Sequence, residues 1–181
     1  MCTEMTPWEQ AVEFHGHACP GLALGFKAAE AAKLSLGDAR DVDEEVLAIV
    51  ENDSCAVDAI QSVLSCTAGK GNLIFRNNGK QVFTFGSRNH NKAVRVALKF
   101  DVMSRNNSGE SKEERIHRIL HSDVKELFDI REIDVELPKK AIIFKTVQCS
   151  QCKEGVMEVK AHLKDGKVVC PECFEGYTRG W

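Results

Sequence analysis

The sequence predicts an α+β protein that ends in a small zinc-ribbon-like domain, with the larger region over residues 1–145 and a four-cysteine domain over 146–181. Three observations carry this. Runs with helical periodicity alternate with strand-like runs through the larger region, most of them bounded by cap or turn residues. Two Cys-x-x-Cys pairs, Cys149/Cys152 and Cys170/Cys173, are separated by 17 residues, the spacing of a zinc ribbon. A chain that is 43% hydrophobic and 28% charged has the balance of a globular protein, which excludes collagen-like, coiled-coil and wholly disordered classes.

The elements follow in order. Thr6-Pro7-Trp8-Glu9 reads as a capping box with proline at the first helical position, so a short helix starts there. A second helix spans Gly21 to Leu36, with Leu22, Phe26, Ala29 and Lys33 at helical spacing and Gly37 to end it. Val46 to Val50 is a buried strand, and Ser54 to Ser65 a helix capped by Asp53 or Ser54. Leu73–Phe75 and Gln81–Phe85 flank Asn77-Asn78-Gly79-Lys80, a hairpin signal. Val94 to Phe100 alternates as a half-exposed strand does, and a polar loop covers Asn106 to Glu110. Ser111 to Glu114 is another capping box, opening a helix that carries Ile116, Ile119 and Leu120 and extends towards Phe128. Ile130–Leu137 and Ala141–Val147 read as the last strands of this region, separated at Pro138. In the cysteine domain, strand-like runs over 156–163 and 167–170 are joined around Asp165-Gly166.

The longest stretch without Asp, Glu, Lys or Arg runs only from Phe14 to Phe26, too short for a membrane span. No Lys or Arg precedes Lys27, so no signal-peptide n-region is expected and a cytoplasmic location is. There thiols stay reduced, and the eight cysteines need a reason other than disulfides. For Cys149, Cys152, Cys170 and Cys173 the reason is a structural Zn²⁺, because four thiolates close the coordination sphere. The segment from Cys149 to Trp181 carries five basic and five acidic residues, which gives no net positive charge to drive nucleic-acid binding.

A second cluster is Phe14-His15-Gly16-His17-Ala18-Cys19-Pro20-Gly21. If extended, it projects His15, His17 and Cys19 to one side, offering two imidazoles and a thiol to a common point. Histidines satisfied in a core beside a buried cysteine are the plainer alternative. On the helix after Asp53, Cys55, Asp58, Ser62 and Cys66 share one face if the helix persists that far. Cys55 falls in the first turn, where the helix dipole favours a thiolate that could complete a site with His17 and Cys19. Asp58 is either solvated or, if buried, partnered at the site, and Cys66 either lines it or is a small core residue. Thr67 to Asn72 could hold an anion through its amides and Lys70, or simply turn the chain from helix to strand.

Taken together, FHGHACPGLALGFKAA, NDSCAVDAIQSVLSCTAGKGNL and NNGKQVFTF, followed by the four cysteines, resemble the formylmethanofuran dehydrogenase E-subunit-like family. The resemblance covers nearly the whole chain. It implies a mixed sheet with helices, a homodimer, and a metal site built on His15, His17, Cys19, Cys55 and Asp58. It also implies that Cys66, Thr67, Gly69, Lys70, Gly71 and Asn72 line the same cleft, with Lys70 and Asn72 as cofactor-binding residues. Molybdenum or tungsten chemistry does not follow from the family's name: the chain is small for a pterin-cofactor domain and its cysteines lack ferredoxin spacing.

Two functional expectations result. In one, His17, Cys19 and Cys55 hold Zn²⁺ or another transition metal with a position left open, and Asp58 or His15 accepts a proton during chemistry on a one-carbon or pterin-like substrate. In the other, the protein delivers a metal to a molybdenum or tungsten enzyme or assists its assembly, with the ribbon as docking surface and no catalysis of its own. Neither requires a nucleic acid or a membrane.

Overall fold

A computed structural model describes residues 4–37, 40–104 and 109–176. Cys2, for which the sequence offers no role, and part of the expected 106–110 loop lie outside them. The chain divides into two compact units, Met1–Ala141 and Ile142–Trp181.

The first unit opens with α1 (Pro7–His15), held by the expected capping box: Glu9 N donates to Thr6 Oγ1 at 3.3 Å and Thr6 N to Glu9 Oε2 at 2.7 Å. Gly16 ends it at φ 90°, a left-handed position that favours glycine, and the chain turns into α2 (Pro20–Leu36) with Cys19 as N-cap. α2 buries Leu22, Ala23, Ala28, Ala29, Ala31 and Ala32. This small-residue face lets it lie close to α3 (Ala56–Leu64), and at Gly25 the two helices touch backbone to backbone. A Cβ on Gly25 would come within 2.5 Å of Ala56 Cα.

The sheet is mixed. Its strands are β1 (Val46–Val50), β2 (Leu73–Phe75), β3 (Val82–Ser87), β4 (Lys92–Leu98) and β5 (Phe128–Ile133), ordered β2-β1-β3-β4-β5. β1 and β2 are parallel, with α3 in the crossover a parallel pair requires, and the other neighbours are antiparallel. The core lies between the sheet and α2 and α3, with Phe83, Phe85, Phe128, Ile60 and Leu64 fully buried or nearly so.

Several boundaries differ from the sequence expectation. Leu73–Phe75 does not form a hairpin with the next strand, because β1, buried at all five positions, inserts between β2 and β3 and pairs with both. The hairpin is instead β3–β4, turning through Arg88 to Asn91. Phe100 opens a short helix, α4 (Phe100–Ser104), rather than ending a strand. The helix begun at Ser111 is α5 (Lys112–His121); it stops at Ser122, and Asp123 caps a separate turn, α6 (Val124–Leu127). β5 then starts two residues before Ile130 and ends at Ile133.

The second unit contains two small hairpins, β6 (Thr146–Gln148) with β7 (Gly155–Met157) and β8 (His162–Lys164) with β9 (Lys167–Val169). Only the end of the expected 141–147 strand survives, since residues 146–148 alone find a ladder partner. A 3₁₀ turn, Glu158–Lys160, interrupts the expected 156–163 strand. Asp165 and Gly166 make the tight turn at φ 51° and 73°, both positive as a two-residue hairpin of this kind requires.

Candidate metal centres

In the second unit the sulfurs of Cys149, Cys152, Cys170 and Cys173 all lie within 4.8 Å of one another. Zinc–sulfur bonds of about 2.3 Å place tetrahedral ligands about 3.8 Å apart. The Cys152 and Cys170 sulfurs are 3.9 Å apart, so the donor set and its spacing fit that ion. Each pair sits on a tight knuckle. Lys153, at φ 69°, donates from its backbone N to Cys149 O, and Cys173 N donates to Cys170 O. Backbone amides of Cys152 and Cys170 converge on Cys149 and bring its thiol down to about 6, whereas hydrogen bonding from Cys170 pushes Cys173 up to about 12. Thiols this crowded cannot all ionise without a cation among them.

In the first unit the α1–α2 corner builds a different cluster. The chain is not extended there. His15 is the last residue of α1, left-handed Gly16 reverses the path, and Cys19 caps α2, with its Sγ accepting from Leu22 N at 3.3 Å. The corner nonetheless gathers His15, His17 and Cys19, whose ligand atoms lie within 4.8 Å of one another. Cys19 is buried, His15 half-buried and His17 exposed, so the group opens to solvent on the His17 side. The two imidazole rings are 4.5 Å apart.

α3 contributes the partners of this cluster. Asp58 Oδ2 lies 2.6 Å from His15 Nδ1, and Asp58 Oδ1 accepts from Gln61 Nε2 at 3.2 Å. With the proton on Nδ1, the His15 lone pair is on Nε2, which lies 3.9 Å from Cys19 Sγ. A carboxylate behind one imidazole nitrogen while the other faces the donor group is how protein metal sites orient a histidine ligand. Asp58 thus stands behind His15 rather than within the ligand group. Gln61 carried no functional reading in the sequence, although its i, i+3 spacing from Asp58 on one helix was the available signal.

Cys55 is N-cap of α3, in place of Asp53 or Ser54, and makes no side-chain cap bond. It lies outside the close group of His15, His17 and Cys19, although its thiol borders that of Cys19. Burial, then hydrogen bonding and charge from Cys19, push the Cys55 thiol up. Cys55, His15, Asp58, Asp53, Gln61 and Phe75 line an open cleft of about 370 Å³.

The residues after α3 go elsewhere. The helix ends at Leu64, and Ser65 turns left-handed at φ 56°, which takes Cys66 off the face of Cys55 and Asp58. Cys66 is fully buried with its thiol towards Val46 O, and burial pushes it up to about 12. Lys70 pairs with Asp41, a carboxylate with no exposed side-chain surface. Asn72, also fully buried, donates to Asp41 Oδ2 and Val46 O at 2.9 Å each and accepts from Thr67 N at 2.9 Å. The structure therefore does not bring Lys70, Asn72 or Cys66 to the histidine–cysteine cluster. The Lys70 ammonium and the Asn72 amide nitrogen serve the anion at Asp41, as a buried carboxylate requires.

Comparison with known proteins gives three findings. The family profile described as FmdE, Molybdenum formylmethanofuran dehydrogenase operon, matches residues 14–137. A profile for the prokaryotic dksA/traR C4-type zinc finger matches residues 142–179, in agreement with zinc binding by the C-terminal cysteines. Among curated proteins, a probable S-adenosyl-L-methionine-binding protein of Archaeoglobus fulgidus is 30% identical over 195 aligned positions, covering 93% of this chain and 52% of the relative. The chain thus spans about half the length of that relative. Among solved structures, a tungsten formylmethanofuran dehydrogenase FmdE-like protein from Syntrophus aciditrophicus shares the fold at a TM-score of 0.69 and 24% identity, covering 91% of this chain and 88% of that one.

Proposed function

The chain belongs to the FmdE family, and from that premise we propose that it is a two-metal protein whose structural zinc lies in the C-terminal unit and whose functional ion is held by His15, His17 and Cys19. The observation that carries this is the Asp58–His15 pair at 2.6 Å, which directs the second histidine nitrogen towards Cys19. Three side chains leave a coordination position for a substrate, and Cys55 stands beside them as a fourth donor if none is present. A Zn²⁺ or another transition metal held there supplies Lewis acidity towards a carbonyl. The protein's own part is to fix the imidazole through Asp58, to keep water off the Cys19 side by burial, and to accept a proton at Asp58, which keeps 37% of its side-chain surface exposed.

A second reading, delivery of the metal to a molybdenum or tungsten enzyme, draws on the exposure of His17, which gives an acceptor access to the ion. Chelator exchange separates the two: release within seconds favours delivery, whereas an ion retained for hours favours chemistry. Homodimer formation is part of the proposal and is read by light scattering. The name of the A. fulgidus relative makes S-adenosylmethionine the first nucleoside ligand to titrate against this site.

The deciding experiment is elemental analysis. The full chain is expected to carry two metal equivalents and Cys19→Ser one, with the C-terminal zinc retained. Asp58→Asn should weaken the N-terminal ion about 10–100-fold without altering the other, as loss of a carboxylate behind a ligating histidine does elsewhere. One equivalent or fewer in the wild-type protein, or two in Cys19→Ser, overturns the assignment.

A further inference from the structure

Gly21, in the first turn of α2, faces two environments. The space a Cβ would take on it lies 3.9 Å from Cys19 Sγ and 3.9 Å from Cys55 Sγ. The same residue lines a cavity of about 260 Å³ that is separate from the cleft at Asp58. Leu24, Leu98 and Ile119 give this cavity apolar walls, and Gln81, Arg115 and Arg118 its polar groups. Gln81 is joined through its amide to Ser54 Oγ, next to Cys55.

The two arginines, three residues apart on α5, are in unlike states. Arg118 is committed, since its Nε and Nη2 donate to the two carboxylate oxygens of Glu110 at 2.7 and 3.0 Å. Arg115 is not. Its Nε is buried without a hydrogen-bond partner, and among the described residues its guanidinium has no ion-pair partner. An unsatisfied buried donor is a cost, and the fold uses Arg115 only through its charge beside Glu110. With Glu110 balancing Arg118, the described lining of the cavity offers one net positive charge, a guanidinium and apolar walls. That combination matches a monoanionic carboxylate on a hydrocarbon body and is short of charge for a phosphate dianion. A volume below that of most ligand sites limits the body to a few carbons.

We propose that the Arg115 cavity binds the carboxylate of a small acid with an apolar body. Binding of the acid does not rest on the metal reading above and needs no ion.

Isothermal titration of the full chain with hexanoate, hexanamide and inorganic phosphate tests this. Hexanoate is expected to bind saturably, and hexanamide and phosphate at least about tenfold more weakly, as loss of a charge-assisted pair entails. Arg115→Gln should lose at least about tenfold in hexanoate affinity, Arg115→Lys less, and Cys19→Ser nothing. The absence of saturable hexanoate binding, equal affinity for hexanamide, equal affinity in Arg115→Gln, or loss of binding in Cys19→Ser would each overturn the proposal. Should Arg115→Gln not fold, the discrimination between acid and amide by the wild-type chain decides. Because Cys19→Ser removes the ion and leaves the cavity, failure of the metal assignment is read separately from failure of the acid site.

Discussion

Asp41 shows how much one buried side chain organises. Burial by itself would raise its carboxyl, but the Lys70 ammonium and the amides of Val46 and Glu44 outweigh that and hold it below the ordinary aspartate value of 3.8. A carboxyl depressed in the folded state contributes stability that is fully present above its unfolded value and is lost as pH falls through the folded one. The protein should therefore lose stability on acidification below about pH 4, and Asp41→Asn should flatten that part of the profile. The same variant should cost about 1–3 kcal/mol at neutral pH, where a charged hydrogen-bonded network is left incomplete. Urea unfolding followed by circular dichroism between pH 3 and 7 measures both, and an unchanged acid slope in Asp41→Asn would contradict the account. Residues of this kind also mark what the sequence could reveal. His15, His17 and Cys19 were legible because they lie within five positions of one another. Asp58 enters the reading through the helix face it shares with Cys55 and through the family resemblance, because its pairing with His15 spans 43 residues and leaves no local signal. The pairing of Lys70 and Asn72 with Asp41 leaves no local signal either, since Asp41 lies about 30 positions upstream.

At the scale of elements, legibility divides along the same line. Both capping boxes, Thr6 with Glu9 and Ser111 with Glu114, form as read, because a cap is completed within four residues. Strand pairing is not local. The Asn77–Lys80 turn suggested that its flanking strands pair, but β1 has the more apolar segment and occupies the place between them. Ala141–Val147 has strand composition and still lacks a partner over most of its length, with Ile142 and Ile143 exposed. The α2–α3 crossing is the element-level contact on which the cluster depends, for it sets Cys19 and Gly21 against Cys55. Gly25→Ala places a methyl group on the Ala56 backbone, which has no side chain to move aside. The helices must separate, at about 1–3 kcal/mol or more. Thermal unfolding should show the loss, and the N-terminal metal should bind more weakly than in wild type while the C-terminal zinc is unaffected. A Gly25→Ala protein with wild-type stability would mean that the crossing is less close than the structure has it.

The two units differ in what holds them together. Met1–Ala141 has a continuous core of sheet and helices, with Phe83, Phe85, Phe128, Ile60 and Leu64 at its centre. In Ile142–Trp181, Cys149 and Val169 are the only buried residues among those described, and the hairpins are three residues per strand. Hairpins of that length are not stable in water without a further link, so the four-thiolate ion takes the place of a core. Because the ion binds the folded arrangement and the unfolded segment offers no preformed site, its binding free energy is the folding free energy of this unit. Removal of zinc by a chelator, or Cys170→Ser, should therefore collapse the amide resonances of residues 142–176 to unfolded positions. Those of β1, β3 and β4 should keep their dispersion and their slow hydrogen exchange. Readdition of Zn²⁺ to the chelated wild-type chain should restore the lost set, and Cys170→Ser should not respond. Simultaneous loss of both sets on chelation would show that the first unit draws its stability from an ion as well, and that its hydrophobic core is insufficient alone.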